Sequence, residues 1–572
     1  MFFAALATDY DGTIATDGHT PAYVVDALKK FKTSGRRLIL VTGRELDDLK
    51  AAFPEHDIFD RIVAENGALL YDPSTQSEKT LGSPPPESFI RALKEADIAP
   101  LSVGRVIVAS WEPNEAAVLD IIKTLGLELQ IIFNKGAVMV LPPGINKASG
   151  LAAALDDLGL SAVNVAGVGD AENDHAFLKL CGCCAAVANA LPELKAQADL
   201  VMDEPRGEGV MTFMARLAAE DGELLPLDRH GIMLGEASDI GPVLLPTQAG
   251  NVLIAGQSAV GKSTIATALT EQMTQKGLQF CILDPEGDFE HLDHAVQVGS
   301  ASLPASLTEV ADLLRNADNN VVINAMAVAL EDRPKFFAAI LAIVSETRIR
   351  SSRPHWLIVD EAHHVLPQGS HTAGQGLPRD LTGTIFITVH PDSMAKTVLD
   401  AIQFVVAAGE AANDVLSSFC KSVDETPPNA SDLCAEHKVL LWDRRSSERV
   451  ICLSPSRPAQ IHRRHTRKYA QGELGPDKSF YFRGPDEALN LRADNLKSFL
   501  SIADGVDDGT WTFHRERGDY SHWFKGAIKD EGLADAAALI EQDDSLDADA
   551  SRAKLRAEIE RRYTAPASES SR

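Results

Sequence analysis

Cysteine is scarce, with 7 in 572 residues. That number does not make a disulfide framework in a chain of this length. Cys181, Cys183 and Cys184 cluster, but no second Cys or His pair stands at tetrahedral-site spacing, so the cluster reads as packing. Long apolar runs are missing too: no stretch approaches the roughly 20 residues of a membrane helix. The opening Met1–Ala7 has no basic region and meets Asp9 and Asp11 too soon for a signal peptide. A cytoplasmic protein with reduced thiols and no membrane partner is expected. Basic charge is in deficit, 54 Lys and Arg against 82 Asp and Glu, for a net charge of −28. Such a chain repels polyanions on average, which counts against DNA as a partner without excluding a local basic surface or a ring channel. No internal repeat is present. Apolar residues at 45%, with 40 Gly and 29 Pro, exclude disordered, collagen-like and low-complexity readings. At roughly 150 residues per domain, about four domains fit.

What is present reads as α/β. Short apolar runs at Phe2–Ala7, Arg37–Val41, Ile62–Ala64 and Val163–Val168 alternate with helical patterns at Tyr23–Thr33 and Lys147–Leu158. That alternation predicts a parallel sheet covered on both faces. An insert at Leu69–Pro143 carries its own strands, Val106–Ala109 and Ala137–Leu141. A second α/β block begins near His230. Its strands are expected at Asn251–Ala255, Phe280–Leu283, Val321–Asn324, Trp356–Val359, Thr384–Val389, Leu440–Asp443 and Val450–Leu453. A basic connector follows, with His462–Lys468 as its most basic run. The last segment looks helical around Trp511, Phe513, Tyr520, Trp523 and Phe524, expected as its core.

Asp9 and Asp11 follow the first strand two residues apart, so both carboxylates face one side at a strand's carboxyl end. One can attack phosphorus while the other handles the leaving-group proton. Thr42 ends the next strand with a hydroxyl for a phosphoryl oxygen. Lys147 offers a point charge. Asp170 and Asp174, after the strand Val163–Val168, supply oxygen ligands suited to Mg²⁺. With Glu65-Asn66-Gly67-Ala68 and Ala188-Asn189-Ala190, these residues resemble the haloacid dehalogenase-like (HAD) phosphatases of the Cof type over about residues 1–220. The resemblance implies a Rossmann-like core with an α/β cap at about 69–143. It also implies a nucleophile at Asp9 that forms an aspartyl-phosphate, and a general acid/base at Asp11. Thr42 and Lys147 would then position the phosphoryl group, and Asn173 would contact phosphate or a ligand. Mg²⁺ would be held by Asp9, the Asp11 carbonyl, Asp170 and Asp174, and the substrate would be a small phosphorylated metabolite.

Gly256-Gln257-Ser258-Ala259-Val260-Gly261-Lys262-Ser263-Thr264 follows a predicted strand and opens a predicted helix, the context of a phosphate-cradling P-loop. Lys262 reaches β- and γ-phosphates and Ser263 binds Mg²⁺. Asp360 holds Mg²⁺ through water, and Glu361 polarises an attacking water. A carboxylate that activates water favours ATP hydrolysis over transfer to a second substrate. With Asp284-Pro285-Glu286-Gly287 and Gly231–Gly235, residues 228–455 resemble the HerA/FtsK-like motor ATPases. That resemblance implies a RecA-like core, bound ATP and a homo-hexameric ring or other homo-oligomer. His390 stands where many relatives carry a Gln sensor. Arg348, Arg350, Arg353 and Arg379 are arginine-finger candidates that read more readily as solvated surface. His363 and His364, being adjacent, are expected to point to different sides.

The domain expectation is therefore 1–222 for the HAD phosphatase, 228–455 for the P-loop ATPase, 456–478 for a basic linker and 479–572 for a mainly helical domain. The functional expectation is a Mg²⁺-dependent phosphatase fused to an ATP-hydrolysing motor or regulatory domain. The alternatives are a DNA translocase or helicase with an accessory phosphatase, a polynucleotide kinase/phosphatase-like end-processing enzyme, and a scaffold with ATP as structural ligand.

Overall fold

The structure is a computed structural model. It describes residues 1–257, 260–290, 292–368, 382–428, 439–446, 450–459, 474, 478–485, 488–528, 530–543 and 545–563. Ser258 and Ala259 of the glycine-rich loop, Arg379, the His462–Lys468 run and most of the 456–478 connector lie outside the described residues.

The first sheet is built from β1 (Ala5–Thr8), β2 (Arg37–Val41), β3 (Arg61–Ala64), β4 (Leu69–Asp72) and β5 (Ser77–Thr80). The chain then leaves it for β6 (Ser102–Val103), β7 (Val108–Trp111), β8 (Gln130–Asn134) and β9 (Ala137–Leu141). It returns in β10 (Val165–Gly169), β11 (Cys183–Ala186) and β12 (Leu200–Val201). The sheet order is β12-β11-β10-β1-β2-β3-β4-β5, and β6-β7-β9-β8 form a separate four-stranded sheet. Pairings from β12 through β3 are parallel, while β3–β4 and β4–β5 are antiparallel. Residues 69–80 therefore extend the core sheet, and only the later part of the 69–143 insert forms the cap. The signal was ambiguous because β5, Ser-Glu-Lys-Thr, is exposed and polar. The cap has its own small core of Phe89, Leu93, Val108, Val118, Ile122 and Val140.

The second block forms an 11-stranded sheet. Its strands are β13 (Ile232–Ala237), β14 (Gly241–Leu245), β15 (Asn251–Gly256), β16 (Phe280–Asp284), β17 (Val296–Val298) and β18 (Val321–Asn324). They continue with β19 (Trp356–Val359), β20 (Thr384–Thr388), β21 (Ile402–Ala408), β22 (Val439–Asp443) and β23 (Val450–Pro455). The order is β14-β13-β23-β22-β21-β15-β20-β19-β16-β18-β17. β21 pairs in parallel with β15. Four strands of this sheet, β13, β14, β17 and β21, are not among the expected ones, and of these β21 is fully buried from Phe404 to Ala408.

The two blocks share a hydrophobic core that runs from Phe2 and Phe3 to Phe280 and Trp356. Polar contacts seal the junction. Arg353 Nη2 donates to Gly159 O at 2.7 Å, and a ring nitrogen of His355 lies 3.0 Å from Asn164 Oδ1. Arg353 is fully buried. Arg348 donates to the carbonyls of Pro354, Thr382, His355 and Gly383. These two arginines are thus interior ties, not solvated surface residues, because backbone carbonyls converge on them. Arg350 is exposed and pairs with Glu346.

The C-terminal region packs helices Leu496–Ala503, Asp508–Glu516, Asp519–Trp523, Glu531–Glu541 and Ala548–Tyr563 beside a two-stranded ribbon, β24 (Phe480–Phe482) and β25 (Leu491–Ala493). Trp511, Tyr520, Trp523 and Phe524 lie in its core. Cys181, Cys183, Cys184, Cys281 and Cys420 are free and buried. Cys452 is disulfide-bonded, so the expectation of reduced thiols throughout is corrected there.

Candidate functional site

β1 and β10 pair in parallel with Thr8 opposite Val168, so Asp9 and Asp170 leave the sheet side by side. β2 flanks β1 and brings Thr42 to the same edge. Lys147 opens the helix Lys147–Leu158, whose Asn146 caps the amides of Ala148 and Ser149. This fixes where the lysine side chain starts. Lys147 Nζ donates to Asp9 Oδ1 and Asp174 Oδ1, each at 2.6 Å. All three residues are buried. Asp174 Oδ2 accepts from the amides of Asp170 and Ala171, which closes the loop after β10.

Burial, the Asp174 carboxylate and Asp170 push the Asp9 carboxyl up to about 7, against the pull of Lys147. Burial alone would lower the Lys147 ammonium, but Asp174 and Asp9 outweigh it and raise it. Asp170 is also raised, first by burial, although Lys135 opposes the shift.

Ligand atoms of Asp9, Asp170 and Asp174 lie within 4.8 Å of one another. Three clustered carboxylates, balanced by ammonium groups, fit a hard divalent cation with oxygen ligands. The Asp11 side chain is not part of that set. It is half exposed and gripped by Arg44, with Nε to Oδ2 and Nη2 to Oδ1 both at 2.7 Å. Its backbone carbonyl instead faces the carboxylates and accepts from Lys135 Nζ at 2.9 Å. Thr42 is buried, and its hydroxyl accepts from the Arg44 amide. Asn173 Nδ2 donates to Asn66 Oδ1 at 2.9 Å.

Four contributors were not assigned from sequence. Thr13 donates to Asp9 Oδ2 at 3.1 Å; its place two residues after Asp11 was the available signal. Arg44 directly follows Gly43 in a motif read only for its threonine. Glu65 is a buried carboxylate that accepts from the amides of Arg105, Val106 and Ile107, tying the cap to the core. Lys135, on the β8–β9 turn, reaches Asp170 at 2.9 Å, and nothing in its local sequence pointed there. Gly12, at φ +87°, is required because a Cβ would stand 2.3 Å from Asp170 Oδ2. Between core and cap lies a cavity of about 670 Å³, lined by Asp9, Asp11 and Arg44 below and by Ser102, Trp111 and Lys135 above.

The second set of expected residues gathers at one end of the other sheet. Register places Ala255 opposite Thr388, Val359 opposite Phe386, and Leu283 opposite Val359. Gly256, Asp284 and Asp360 therefore end neighbouring strands together. Gly261 has φ +95° and leads into the helix Lys262–Gln275. Lys262 Nζ donates to Gly256 O at 2.9 Å and Gln257 O at 2.7 Å. Ser263 and Thr264 follow in the first turn, and Ser263 Oγ lies 3.5 Å from Asp288 Oδ2. Asp284 accepts from four amides of its loop, Glu286 through Phe289. Burial, then Asp288, Glu361 and Asp284, push the Asp360 carboxyl well above the usual range. Glu361 lies 3.4 Å from His363 Nδ1, and the His363 and His390 rings are 5.7 Å apart. The His363 and His364 rings stand 4.1 Å apart, so these neighbours do not diverge as expected. No helix among the described residues is long and apolar enough to cross a membrane.

Residues 6–107 and 114–214 match the model of the haloacid dehalogenase-like hydrolases. The chain is 29% identical over 221 residues to a phosphoglycolate phosphatase of Methanothermobacter thermautotrophicus, covering 37% of this chain and 97% of the relative. It is 30% identical over 218 residues to a phosphoglycolate phosphatase of Archaeoglobus fulgidus, covering 36% of this chain and 93% of the relative. A solved haloacid dehalogenase-like hydrolase from Bacteroides thetaiotaomicron aligns at 17% identity and a TM-score of 0.33, over 38% of this chain and 99% of its own. Through its first 214 residues or so, and on the strength of a relative matched over nearly its whole length, the chain belongs to the haloacid dehalogenase-like hydrolases.

Proposed function

We propose that residues 1–222 form a Mg²⁺-dependent phosphomonoester hydrolase that works through an aspartyl-phosphate on Asp9. The observation that carries this reading is the Asp9 carboxylate, 2.6 Å from the Lys147 ammonium at the floor of a cavity covered by a cap. Mg²⁺ held by Asp9, Asp170, Asp174 and the Asp11 carbonyl would supply charge that offsets the phosphate and the carboxylates together. Asp9 attacks phosphorus while Asp11 gives a proton to the departing alkoxide. Asp11 then takes a proton from the water that cleaves the acyl-phosphate. For both transfers an Asp11 oxygen must come free of the Arg44 grip, because a carboxylate bound through both oxygens to a guanidinium holds no proton to give. Thr42 and Lys147 hold phosphoryl oxygens, and the cap limits water.

A cavity of about 670 Å³ suits a small metabolite rather than a polymer end. Both named archaeal relatives are called phosphoglycolate phosphatases, which favours a short phosphorylated acid. A substrate panel of phosphoglycolate, sugar phosphates and a 5′-phosphorylated oligonucleotide tests this. The reading predicts Mg²⁺-dependent phosphate release from the first two, abolished by Asp9→Asn. Turnover confined to the oligonucleotide would overturn the metabolite assignment.

For residues 228–455 we propose ATP binding and hydrolysis in the HerA/FtsK-like manner. The supporting observation is that Gly261, Lys262 and Ser263 open a helix directly after β15, with Asp360 and Glu361 at the same sheet edge. ATP would contact Gly256, Gly261, Lys262, Ser263 and Thr264, with Mg²⁺ on Ser263 and Asp360. Glu361 would activate water and His390 would sense the γ-phosphate. A homo-oligomeric ring belongs to the same proposal. ATP hydrolysis by Asp9→Asn protein, with and without DNA, tests it, with the added Lys262→Ala change as blank. Turnover that survives Lys262→Ala would overturn the reading. Strong stimulation by DNA would favour a motor on nucleic acid.

A further inference from the structure

Lys135 occupies an unusual place. It is the first central residue of the two-residue turn between β8 and β9, where Asn134 pairs with Ala137. Lys135 has φ +50° and Gly136 has φ +87°. Such turns favour Asn, Asp or Gly at the first central position, because side-chained residues resist positive φ. A lysine here runs against local preference, and residues held against preference concentrate at functional positions.

The ammonium has a specific address. It donates to Asp11 O at 2.9 Å and to Asp170 Oδ2 at 2.9 Å and Oδ1 at 3.2 Å. Gly12 makes this approach possible, since a Cβ there would lie 2.9 Å from Lys135 Nζ. Asp11 O and the Asp170 carboxylate are two of the oxygens that would hold the divalent cation. Lys135 and that cation are thus rivals for the same ligands. The other cation lining the cavity, Arg44, is occupied by Asp11 and Asp48. Beside Lys135, the buried Asn134 Oδ1 has no hydrogen-bond partner and also lines the cavity.

We propose that Lys135 is the cap's substrate-recognising cation. A divalent ion that takes Asp170 and Asp11 O displaces the ammonium into the cavity. There it pairs with a second anionic group of the substrate, so the preferred substrates are phosphate esters that carry a carboxylate. The proposal rests on the phosphatase reading for its substrate half, while the rivalry with the cation stands on the geometry alone.

Calorimetric titration of MgCl₂ into the wild-type chain, Lys135→Met and Lys135→Arg, without substrate, tests the rivalry. Lys135→Met is expected to bind Mg²⁺ roughly three- to tenfold more tightly, and Lys135→Arg to stay near wild type. At saturating Mg²⁺, Lys135→Met should raise KM for phosphoglycolate roughly tenfold or more and leave kcat less affected. KM for ethyl phosphate, which lacks the carboxylate, should barely move, and Lys135→Arg should restore phosphoglycolate. The lysine side chain is nearly half exposed on a hairpin tip, so its loss does not threaten the fold. Unchanged Mg²⁺ affinity in Lys135→Met would overturn the rivalry, and an equal KM rise for both esters would overturn the recognition role. If the wild type turns over sugar phosphates but not phosphoglycolate, the recognition role is overturned; if it turns over no phosphate ester, the phosphatase reading fails instead, and the titration alone decides the place of Lys135.

Discussion

Lys147 and Lys262 each begin a helix at the carboxyl edge of a sheet, and each is buried, yet they are held differently. Lys147 bridges two carboxylates that come from residues 138 and 27 positions away. Lys262 turns back onto carbonyls five and six positions away, within its own loop. The first site is thus a tertiary construction, assembled only when β1, β2 and β10 lie side by side. The second is carried by a contiguous loop, with carboxylates added from neighbouring strands. Charge follows the same division: at the first site ammonium groups and carboxylates neutralise one another inside the protein. Removing one member there should harm the fold as well as the chemistry.

The largest effect expected is on chemistry at the first site. Asp9→Asn should lower phosphate release from the best ester by roughly 10⁴-fold or more. It should leave unchanged the nucleotide binding proposed for the second block, as read by fluorescent-nucleotide titration. Loss of both functions would break the separation of the two sites. The converse change, Lys262→Ala, should abolish nucleotide binding and spare ester hydrolysis, measured on the same preparations.

Next in size is the structural consequence of the internal ion pairs. Lys147→Met strands the buried Asp9 and Asp174 carboxylates and should cost about 3–5 kcal/mol in urea unfolding. Excess Mg²⁺ should return part of that loss. Lys262→Ala should cost less than Lys147→Met, and an equal cost would mean that the two lysines are held alike.

A smaller effect sharpens the junction between the two blocks. Burial, then Arg353 and Arg348, lower the His355 imidazole to about 3. The folded chain keeps it neutral where the unfolded chain, near pH 6.5, takes up a proton. Its contribution to stability is therefore full above about pH 6.5 and declines as pH falls toward 3. The loss should be roughly 2 kcal/mol between pH 6.5 and pH 5. His355→Gln should flatten that slope in urea midpoints taken across this range. An unchanged slope would show that the acid response arises elsewhere.

The legibility of the molecule follows the same local-versus-tertiary division. Strands Arg37–Val41, Ala137–Leu141, Val321–Asn324 and Trp356–Val359 and the helix Lys147–Leu158 stand as the pattern predicts, because their apolar periodicity and caps are local. Asp9, Thr42, Lys147, Asp170 and Asp174 stand at one sheet edge. Missing from that reading were partners that depend on tertiary placement: Arg44 on Asp11, Glu65 on the cap amides, and Lys135 on Asp170. Glu65 could not be placed from sequence, because its partners lie 40–42 positions away in a segment that only the cap fold returns to it. Strands β4 and β5 belong to the core sheet rather than the expected cap: β5 is exposed and polar, like a connector, and β4 is buried only because β3 pairs with it. Arg348 and Arg353 read as surface residues in the sequence, which does not reveal carbonyls converging from separate loops.

In the proposed hydrolase, Asp9 carries the phosphoryl group. Rapid acid quench of the wild-type chain during turnover of its best ester, followed by mass spectrometry, tests it most directly. A transient gain of one phosphoryl group is expected, located to the peptide bearing Asp9 and absent from Asp9→Asn. Sustained turnover with no such adduct, together with an active Asp9→Asn protein, would contradict it.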